Sequence, residues 1–268
     1  MKEKLKQLET WFSDHPRLVV AFSGGVDSCL AAYLARTFIS RNQVVACIST
    51  SPGLKRSDLK LARSFCGKYD IELRELITNE LNDPGYAENP TDRCFYCKSA
   101  LYSHLNHIID AEYPGYEVIN GNNHDDLGDY RPGLKAAENY QALSPFIDCN
   151  ITKADIRSIA LHFDLMTWDK PASPCLSSRF PYGESITANK LKRVEAAEET
   201  ILDLGIPEVR VRSYGDSARI EVPTEFIEKL EQAFSTVSET LINLGFKQCE
   251  IDREGLVSGK MNRVLAHD

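Results

Sequence analysis

Residues 18–28 read Leu18-Val-Val-Ala-Phe-Ser23-Gly-Gly-Val-Asp-Ser28, an apolar run followed at once by a turn of serine and glycine. Consecutive apolar residues bounded by such a turn are typical of a strand that is buried on both faces. A helical pattern follows, from about residue 27 to residue 39. At such a junction glycines let the backbone approach an anion, and N–H groups of the first helical turn point at it. The stretch therefore predicts a strand, a phosphate-binding loop and a helix in succession.

The alternation of strand and helix continues beyond this stretch. Short β-branched runs predict further strands at 44–48, 71–76 and 117–120. Helical patterns predict helices near 55–69, 98–109 and 153–163. This order predicts an α/β fold with a parallel sheet, whose ligands bind beyond the C-terminal ends of the strands.

A change of pattern follows at residues 169–182, which carry three prolines and no period. We expect an ordered loop there that joins two domains. Beyond it the sequence predicts a helix with apolar positions at 191, 194, 201 and 204, then a hairpin at 208–222, a helix at 225–244 and a strand at 246–251. The predicted organisation is an α/β domain at residues 1–180 and a smaller α+β domain at residues 181–268.

Composition excludes several classes of protein. The 268 residues are 43% hydrophobic, which is enough for a packed core and argues against a disordered or fibrous chain. The formal charge of -8 argues against nucleic-acid binding, which needs clustered cations facing the phosphates. There is no apolar run long enough for a membrane span, and the first 15 residues lack a signal-peptide pattern. We therefore expect a cytoplasmic protein.

The eight cysteines fall into groups by their surroundings. Cys94-Phe-Tyr-Cys97 stands just before a predicted helix, whose N-terminus favours thiolates. This pair is compatible with a redox disulfide, half a zinc site or two ligands of an iron-sulfur cluster, and a second C-x-x-C for a four-thiolate zinc site is missing. Cys175 lies in a polar, proline-bracketed loop, where the neighbouring serines and Arg179 would support a thiolate or hold an anion. The other five cysteines, three of them in apolar settings, are expected to be structural: Cys29, Cys47, Cys66, Cys149 and Cys249.

Two further groups of polar residues are candidates for ligand binding. On the predicted hairpin, Arg210 and Arg212 share one face, which suits a phosphate or carboxylate, although a surface lattice of ion pairs fits the spacing equally well. Glu198, on the preceding helix, is a candidate to stabilise Arg210. Asp125 and Asp126 follow a predicted strand end, where they would hold Mg²⁺ or contact the nucleotide, or form a turn without a ligand.

The phosphate loop resembles that of the PP-loop ATP pyrophosphatase superfamily, because Ser-Gly-Gly-x-Asp-Ser replaces the Gly-Lys-Ser/Thr of a Walker A loop. Members cleave ATP between the α and β phosphates and form an adenylate. The resemblance implies an adenine nucleotide α-hydrolase-like domain. Ser23 and Ser28 would donate hydroxyl hydrogen bonds to phosphate, the amides of Gly24 and Gly25 would line the turn, and Asp27 would help hold Mg²⁺.

Several segments together look like one family within that superfamily, the ATP-dependent sacrificial sulfur transferases of LarE type, which help build a nickel-pincer nucleotide. They are residues 23–28, 93–98, 121–133, 170–182, 209–212 and 218–221. The resemblance covers most of the chain and implies that a carboxylate of pyridinium-3,5-biscarboxylic acid mononucleotide is adenylated and becomes a thiocarboxylate. Ser178, Glu198, Arg210 and Arg212 would bind this substrate, and Arg179 would assist at Cys175. The resemblance also implies a homo-oligomer, with hexamers among its forms.

The source of the sulfur distinguishes two branches of that family. In one branch a cysteine matching Cys175 gives up its own sulfur and becomes dehydroalanine. In a second branch three cysteines hold a [4Fe-4S] cluster, which leaves one iron open for an extra sulfide. Because this sequence also has Cys94 and Cys97, we favour the second branch, with Cys94, Cys97 and Cys175 as ligands. A Cys94–Cys97 disulfide that regenerates Cys175 is the alternative role for the pair.

Other functions remain open on sequence grounds. A PP-loop enzyme can thiolate tRNA or make an amide as NAD synthetases do, and the acidic charge with no basic tract argues against the RNA substrate. A sensor that binds nucleotide or an iron-sulfur cluster without catalysis is the non-enzymatic reading. The sequence does not indicate what supplies the sulfide.

Overall fold

The computed structural model of the protein describes residues 1–128, 132–257 and 259–267. The chain divides into two compact units, and both units are discontinuous in sequence. The first unit comprises Met1–Glu80 and Asp92–Ser173, and the second comprises Leu81–Thr91 and Pro174–Asp268. The predicted domains, residues 1–180 and 181–268, describe parts that would fold independently, and this division stays a prediction.

The first unit is built on a parallel sheet of four strands in the order β3-β2-β1-β4. The strands are β1 (Leu18–Phe22), β2 (Val44–Ser49), β3 (Glu72–Leu76) and β4 (Glu117–Ile119). All three pairings are parallel, and Val20 pairs with Ala46 on one side and with Ile119 on the other. The predicted parallel α/β fold is therefore confirmed.

Helices cover both faces of this sheet. They are α1 (Lys2–Asp14), α2 (Val26–Phe38), α3 (Arg56–Lys68), α5 (Arg93–Glu112), α6 (Pro132–Asn139), α7 (Pro145–Asp148) and α8 (Lys153–His162); the short α4 (Pro84–Ala87) belongs to the second unit. Every residue of β1 is buried. Leu18, Val20 and Phe22 contribute to the larger core cluster, and Val19 and Ala21 to the cluster on the opposite face. A strand buried on both faces accounts for the continuous apolar run in the sequence.

The helix expected at residues 98–109 is longer than the sequence pattern suggested. It begins at Arg93, so Cys94 and Cys97 lie within the helix, at its second and fifth residues, and not ahead of it. Residues 129–131 of the motif at 121–133 lie outside the described residues.

The second unit contains a three-stranded sheet and, besides the short α4, two longer helices within its described residues. These helices are α9 (Ala188–Leu202) and α10 (Ile227–Asn243), and the strands are β5 (Arg210–Tyr214), β6 (Ser217–Glu221) and β7 (Gln248–Ile251). β5 and β6 form the predicted antiparallel hairpin, and β7 pairs parallel to β6. The α+β character expected of this part of the chain is confirmed. None of the helices in the described part of the chain is long and apolar enough to cross a membrane.

Candidate functional site

The phosphate loop lies between β1 and α2, at the C-terminal edge of the parallel sheet. Gly24 has a positive φ of 70°, a conformation that disfavours residues with a side chain. The Ser28 hydroxyl donates to the Gly25 carbonyl at 3.1 Å and lies 3.0 Å from the Ser23 hydroxyl. Ser28 is buried whereas Ser23 is exposed, so Ser28 shapes the loop and Ser23 is the serine open to a ligand.

Lys170, which was not among the predicted site residues, binds the backbone of the phosphate loop. Lys170 Nζ donates to the Gly24 carbonyl at 2.8 Å and to Asp58 Oδ1 at 2.9 Å. The hydroxyl of Ser173 donates to the other oxygen of Asp58 at 2.8 Å. Lys170 therefore fixes the backbone of the loop and the segment that follows it. Its position in the motif at residues 170–182, which also contains Cys175, was the sequence signal that could have identified it.

A second lysine, Lys153, pairs with Asp27, the carboxylate that was predicted to bind magnesium. Lys153 Nζ is 2.6 Å from both carboxylate oxygens of Asp27. Lys153 is the first residue of α8, and its backbone N–H donates to Asp125 Oδ2 at 2.9 Å. A lysine at the first residue of a predicted helix was the sequence signal that could have identified it.

The turn after β4 lies against the phosphate loop. A Cβ atom on Gly121 would lie 2.7 Å from the backbone nitrogen of Ser28, so only glycine fits there. Asp126 is buried, and its Oδ2 accepts the Asn123 N–H at 3.0 Å. Asp125 and Asp126 thus both accept backbone hydrogen bonds, as the turn interpretation requires, and their contact with Mg²⁺ or nucleotide stays a prediction.

The three cysteines predicted to bind a cluster are accessible to different degrees. Cys94 and Cys175 are exposed and Cys97 is half-buried. Cys94 and Cys97 belong to the first unit and Cys175 to the second. Within the described residues, no group of three or more histidine, cysteine or acidic side chains is placed to hold a metal ion.

The remaining thiols are unsuited to be ligands in this structure. Burial raises the pKa of Cys29, Cys47 and Cys66 to about 12 in each case. Burial also raises the pKa of Cys149 to about 11 and that of Cys249 above its ordinary value. Because only the thiolate binds metal or attacks carbon, these five cysteines stay protonated and structural, as expected.

Arg179 supports the loop that carries Cys175. Its side chain is 1% exposed and forms a two-point ion pair with Glu198, at 2.6 Å from Nε to Oε1 and 3.1 Å from Nη2 to Oε2. Its Nη1 donates to the Pro174 carbonyl at 3.1 Å and to the Ser178 hydroxyl at 2.8 Å. Arg179 was predicted to hold an anion, and Glu198 was predicted to stabilise Arg210. In the structure Arg179 and Glu198 pair with each other, because α9 presents Glu198 to the loop that carries Cys175.

The two arginines on β5 are buried and differ in their partners. Arg212 donates from Nε and Nη2 to Glu221 Oε2 at 3.0 and 2.8 Å, and from Nη1 to the Ser178 carbonyl at 2.8 Å. Arg210 has only long contacts among the described residues, 3.4 Å to the Val257 carbonyl and 3.5 Å to Glu208 Oε1. Burial and the charges of Arg179 and Arg212 lower the pKa of Arg210. Because both arginines are buried, a solvent-exposed lattice of ion pairs does not describe them. Each still has a carboxylate partner among the described residues, Glu221 at 2.8 Å for Arg212 and Glu208 at the longer distance of 3.5 Å for Arg210.

The fold and the loop geometry define a PP-loop enzyme that uses ATP. In agreement, residues 6–84 match the family model described as NAD synthase. The chain is 43% identical over 267 residues to an uncharacterized protein of Synechocystis sp., with 99% of each chain covered. It is 29% identical over 256 residues to an uncharacterized protein of Methanocaldococcus jannaschii, covering 95% of this chain and 93% of the relative.

A third relative identifies the family. The chain is 36% identical over 252 residues to the pyridinium-3,5-bisthiocarboxylic acid mononucleotide synthase of Lactiplantibacillus plantarum, covering 94% of this chain and 91% of the relative. The chain belongs to the ATP-dependent sulfur transferases of LarE type.

Proposed function

We propose that this protein adenylates a carboxylate of a pyridinium biscarboxylate mononucleotide and converts it to a thiocarboxylate, with sulfide from a [4Fe-4S] cluster on Cys94, Cys97 and Cys175. The observation that carries the proposal is the exposure of Cys94 and Cys175, together with the half-buried Cys97 three residues after Cys94 on the same helix. The L. plantarum relative is a pyridinium-3,5-bisthiocarboxylic acid mononucleotide synthase, and this supports a pyridinium mononucleotide as the acceptor.

ATP and Mg²⁺ fit the phosphate loop. The amides of Gly24 and Gly25 and the exposed hydroxyl of Ser23 would contact the phosphates, while Asp27 would supply a carboxylate to Mg²⁺. Mg²⁺ is usually held by one or two carboxylates together with substrate phosphates, so a single loop aspartate is sufficient. Attack of the acceptor carboxylate on the α phosphate would release pyrophosphate, and the adenylate makes AMP the group that sulfur displaces.

The cysteines fit a cluster by chemistry and spacing. Cys94 and Cys97 are three residues apart near the start of α5, so their side chains share one face. A [4Fe-4S] cluster bound by three thiolates keeps one iron open to an additional sulfide. Cys175 would provide the third thiolate, and the Arg179 contact with the preceding carbonyl would hold its loop in place.

The acceptor's phosphate fits Arg210. A guanidinium binds phosphate through paired N–H groups, and Arg210 is buried with only a long ion pair, 3.5 Å to Glu208, among the described residues. Three other predicted substrate ligands already hydrogen-bond to protein groups: Arg212, Glu198 and Ser178. They would therefore shape the site without binding the substrate directly. The homo-oligomer implied by the resemblance stays a prediction.

Sacrificial donation from Cys175 is the second candidate, because its exposure suits a donor that acts alone. The measurement that separates the two is iron and acid-labile sulfide content after anaerobic reconstitution. We expect about four irons per chain in the wild type and loss of iron in Cys94→Ala, Cys97→Ala and Cys175→Ala. Cys149→Ala is the matched control, because that thiol is half-buried with a raised pKa and should leave the iron content unchanged.

A wild-type protein without iron would contradict the cluster and favour Cys175 itself. In that case turnover should lower the mass of the chain by one H₂S at residue 175. Pyrophosphate release that depends on the acceptor separates an enzyme from a nucleotide sensor. Release that instead depends on ammonia or tRNA would indicate the amidation or tRNA-thiolation reading.

A further inference from the structure

The Lys153–Asp27 ion pair lies at the phosphate loop and joins α8 to α2. The ammonium bridges both carboxylate oxygens at 2.6 Å. Both side chains remain partly open to solvent, 39% exposed for Lys153 and 28% for Asp27. An ammonium on a flexible stem at a half-exposed site can change partners without moving the backbone.

The backbone at Lys153, in contrast, is firmly fixed. Thr152 and Asp155 form a capping box at the start of α8. The Lys153 N–H donates to Asp125 Oδ2, and Lys4 forms an ion pair with Asp155. The Cα position of Lys153 is therefore held beside the loop while its four-carbon side chain can pivot.

Magnesium and this ammonium compete for the same carboxylate. A Mg²⁺ ion that enters with nucleotide needs an oxygen of Asp27, and both oxygens now accept hydrogen bonds from Lys153. Once displaced, the ammonium would be left next to the phosphate chain that brought the metal. Charge-assisted hydrogen bonds to phosphate would replace those to Asp27.

Lys170 cannot move to the phosphates in the same way. Its side chain is only 15% exposed, and its ammonium is divided between the Gly24 carbonyl and Asp58. Moving it would release the loop backbone that it holds. Of these two lysines at the phosphate loop, Lys153 is the one whose partner is the predicted metal ligand.

We propose that Lys153 exchanges partners during the reaction: it pairs with Asp27 in the absence of nucleotide, and it binds the leaving pyrophosphate when Mg²⁺ takes its place. This inference rests on the ATP site of the proposed function and does not depend on the cysteines or the acceptor. Lys153 would stabilise the charge that develops on pyrophosphate as the α–β bond breaks, and would leave the adenylate untouched.

The test compares the binding of two ligands by calorimetry, pyrophosphate with Mg²⁺ and AMP. We expect Lys153→Met to weaken pyrophosphate binding by about tenfold or more, the scale of one charge-assisted hydrogen bond, with AMP binding unchanged. Lys153→Arg should keep part of the pyrophosphate affinity. Lys4→Met is the matched control, since it removes the other lysine–aspartate pair at the start of α8 and should change neither affinity.

A second readout follows the side chain directly. After reductive ¹³C-methylation of lysines, the resonance missing in Lys153→Arg reports on Lys153, and we expect it to shift with Mg²⁺ and pyrophosphate but not with AMP. Equal loss of both affinities in Lys153→Met, or no loss at all, would overturn the exchange. If the proposed sulfur transfer fails, acceptor-dependent pyrophosphate release disappears, whereas these binding measurements still give a result.

Discussion

Arg210 and Arg212 stand two residues apart on β5, and their guanidinium groups are satisfied in different ways. Arg212 has a carboxylate and a carbonyl within 3.0 Å. Arg210 has only contacts of 3.4 Å and longer, and it lies near two other positive charges. A buried cation in such surroundings is costly to the folded protein unless an anion binds to it.

Replacing each arginine should therefore have opposite consequences. We expect Arg210→Ala to leave the free energy of unfolding unchanged or raised, because repulsion with Arg179 and Arg212 is relieved, while affinity for a mononucleotide acceptor falls about tenfold to a hundredfold. Arg212→Ala should destabilise the protein by about 3–5 kcal/mol, because the fully buried Glu221 is then left with only the longer ion pair to Lys260, at 3.5 Å. Urea unfolding and calorimetry measure the two effects.

Arg219→Ala is the control for that pair of variants. Arg219 is on the same hairpin, 43% exposed, and paired with the exposed Glu250. Its loss should change stability by less than about 1 kcal/mol and leave acceptor binding intact. Destabilisation by Arg210→Ala comparable to that of Arg212→Ala would contradict an anion-binding role for Arg210.

At the residue scale, the sequence predicted which residue types the site contains better than which side chains pair with each other. Period-two alternation correctly put Arg210 and Arg212 on one face, because strand geometry fixes facing direction. It could not show that Glu198 pairs with Arg179, or that Lys153 pairs with Asp27, because residues separated by 19 and 126 positions meet only after the fold has formed.

At the scale of elements, the close approach of β4 to the start of α2 builds the phosphate site. Gly121 follows β4, and a Cβ there would lie 2.7 Å from Ser28 N and 2.8 Å from the Asp27 carbonyl carbon. Since both contacts are to backbone, neither can be relieved by a side-chain rotation. The turn after β4 thus sets how near the loop and its helix can come to the neighbouring strand.

Gly121→Ala should disrupt this approach. We expect a loss of about 1–3 kcal/mol in the free energy of unfolding, the usual cost of overpacking, together with weaker ATP binding because the loop must shift. Gly128→Ala is the matched control in the same segment, where a Cβ meets nothing within 4 Å. Equal ATP affinities in the two variants would show that the loop does not depend on this contact.

Elements were predicted well where the pattern was periodic and less well at their ends. The apolar run of β1 and the helical pattern of α8 are local features, and the structure has them within one residue of the sequence prediction. The start of α5 was placed at residue 98 and is at Arg93, because Cys94-Phe-Tyr-Cys97 has no strong helical signal of its own. The correct start puts both cysteines on one helical turn.

At the scale of the whole molecule, the chain order and the compact units do not coincide. Leu81–Thr91 belongs to the second unit although the residues on either side of it belong to the first. Asn89 is the most firmly held residue of this segment: it is fully buried, its Nδ2 donates to the Pro181 carbonyl at 2.7 Å, and its carbonyl accepts the Gly183 N–H at 2.9 Å. Such partners, about ninety residues away, leave no local signal in the sequence.

Asn89→Ala tests whether the segment is part of the second unit's stability. Asn89 has a positive φ of 55°, which asparagine tolerates and alanine does not, and the change also removes buried hydrogen bonds. We expect a loss of about 2–4 kcal/mol in the free energy of unfolding. Asn150→Ala, at an exposed residue with φ of 52°, carries the backbone cost alone and should lose only about 1 kcal/mol.

Hydrogen exchange locates where the Asn89 variant opens. If residues 81–91 stabilise the second unit, exchange should rise in that segment and in residues 174–257, while β1 and β2 keep their protection, because local opening follows cooperative units and not chain order. If residues 1–180 instead fold as one domain, exchange should rise across 92–173 as well. The pattern therefore decides whether the loop that carries Cys175 gains its order together with residues 92–173 or together with the unit that carries Arg210.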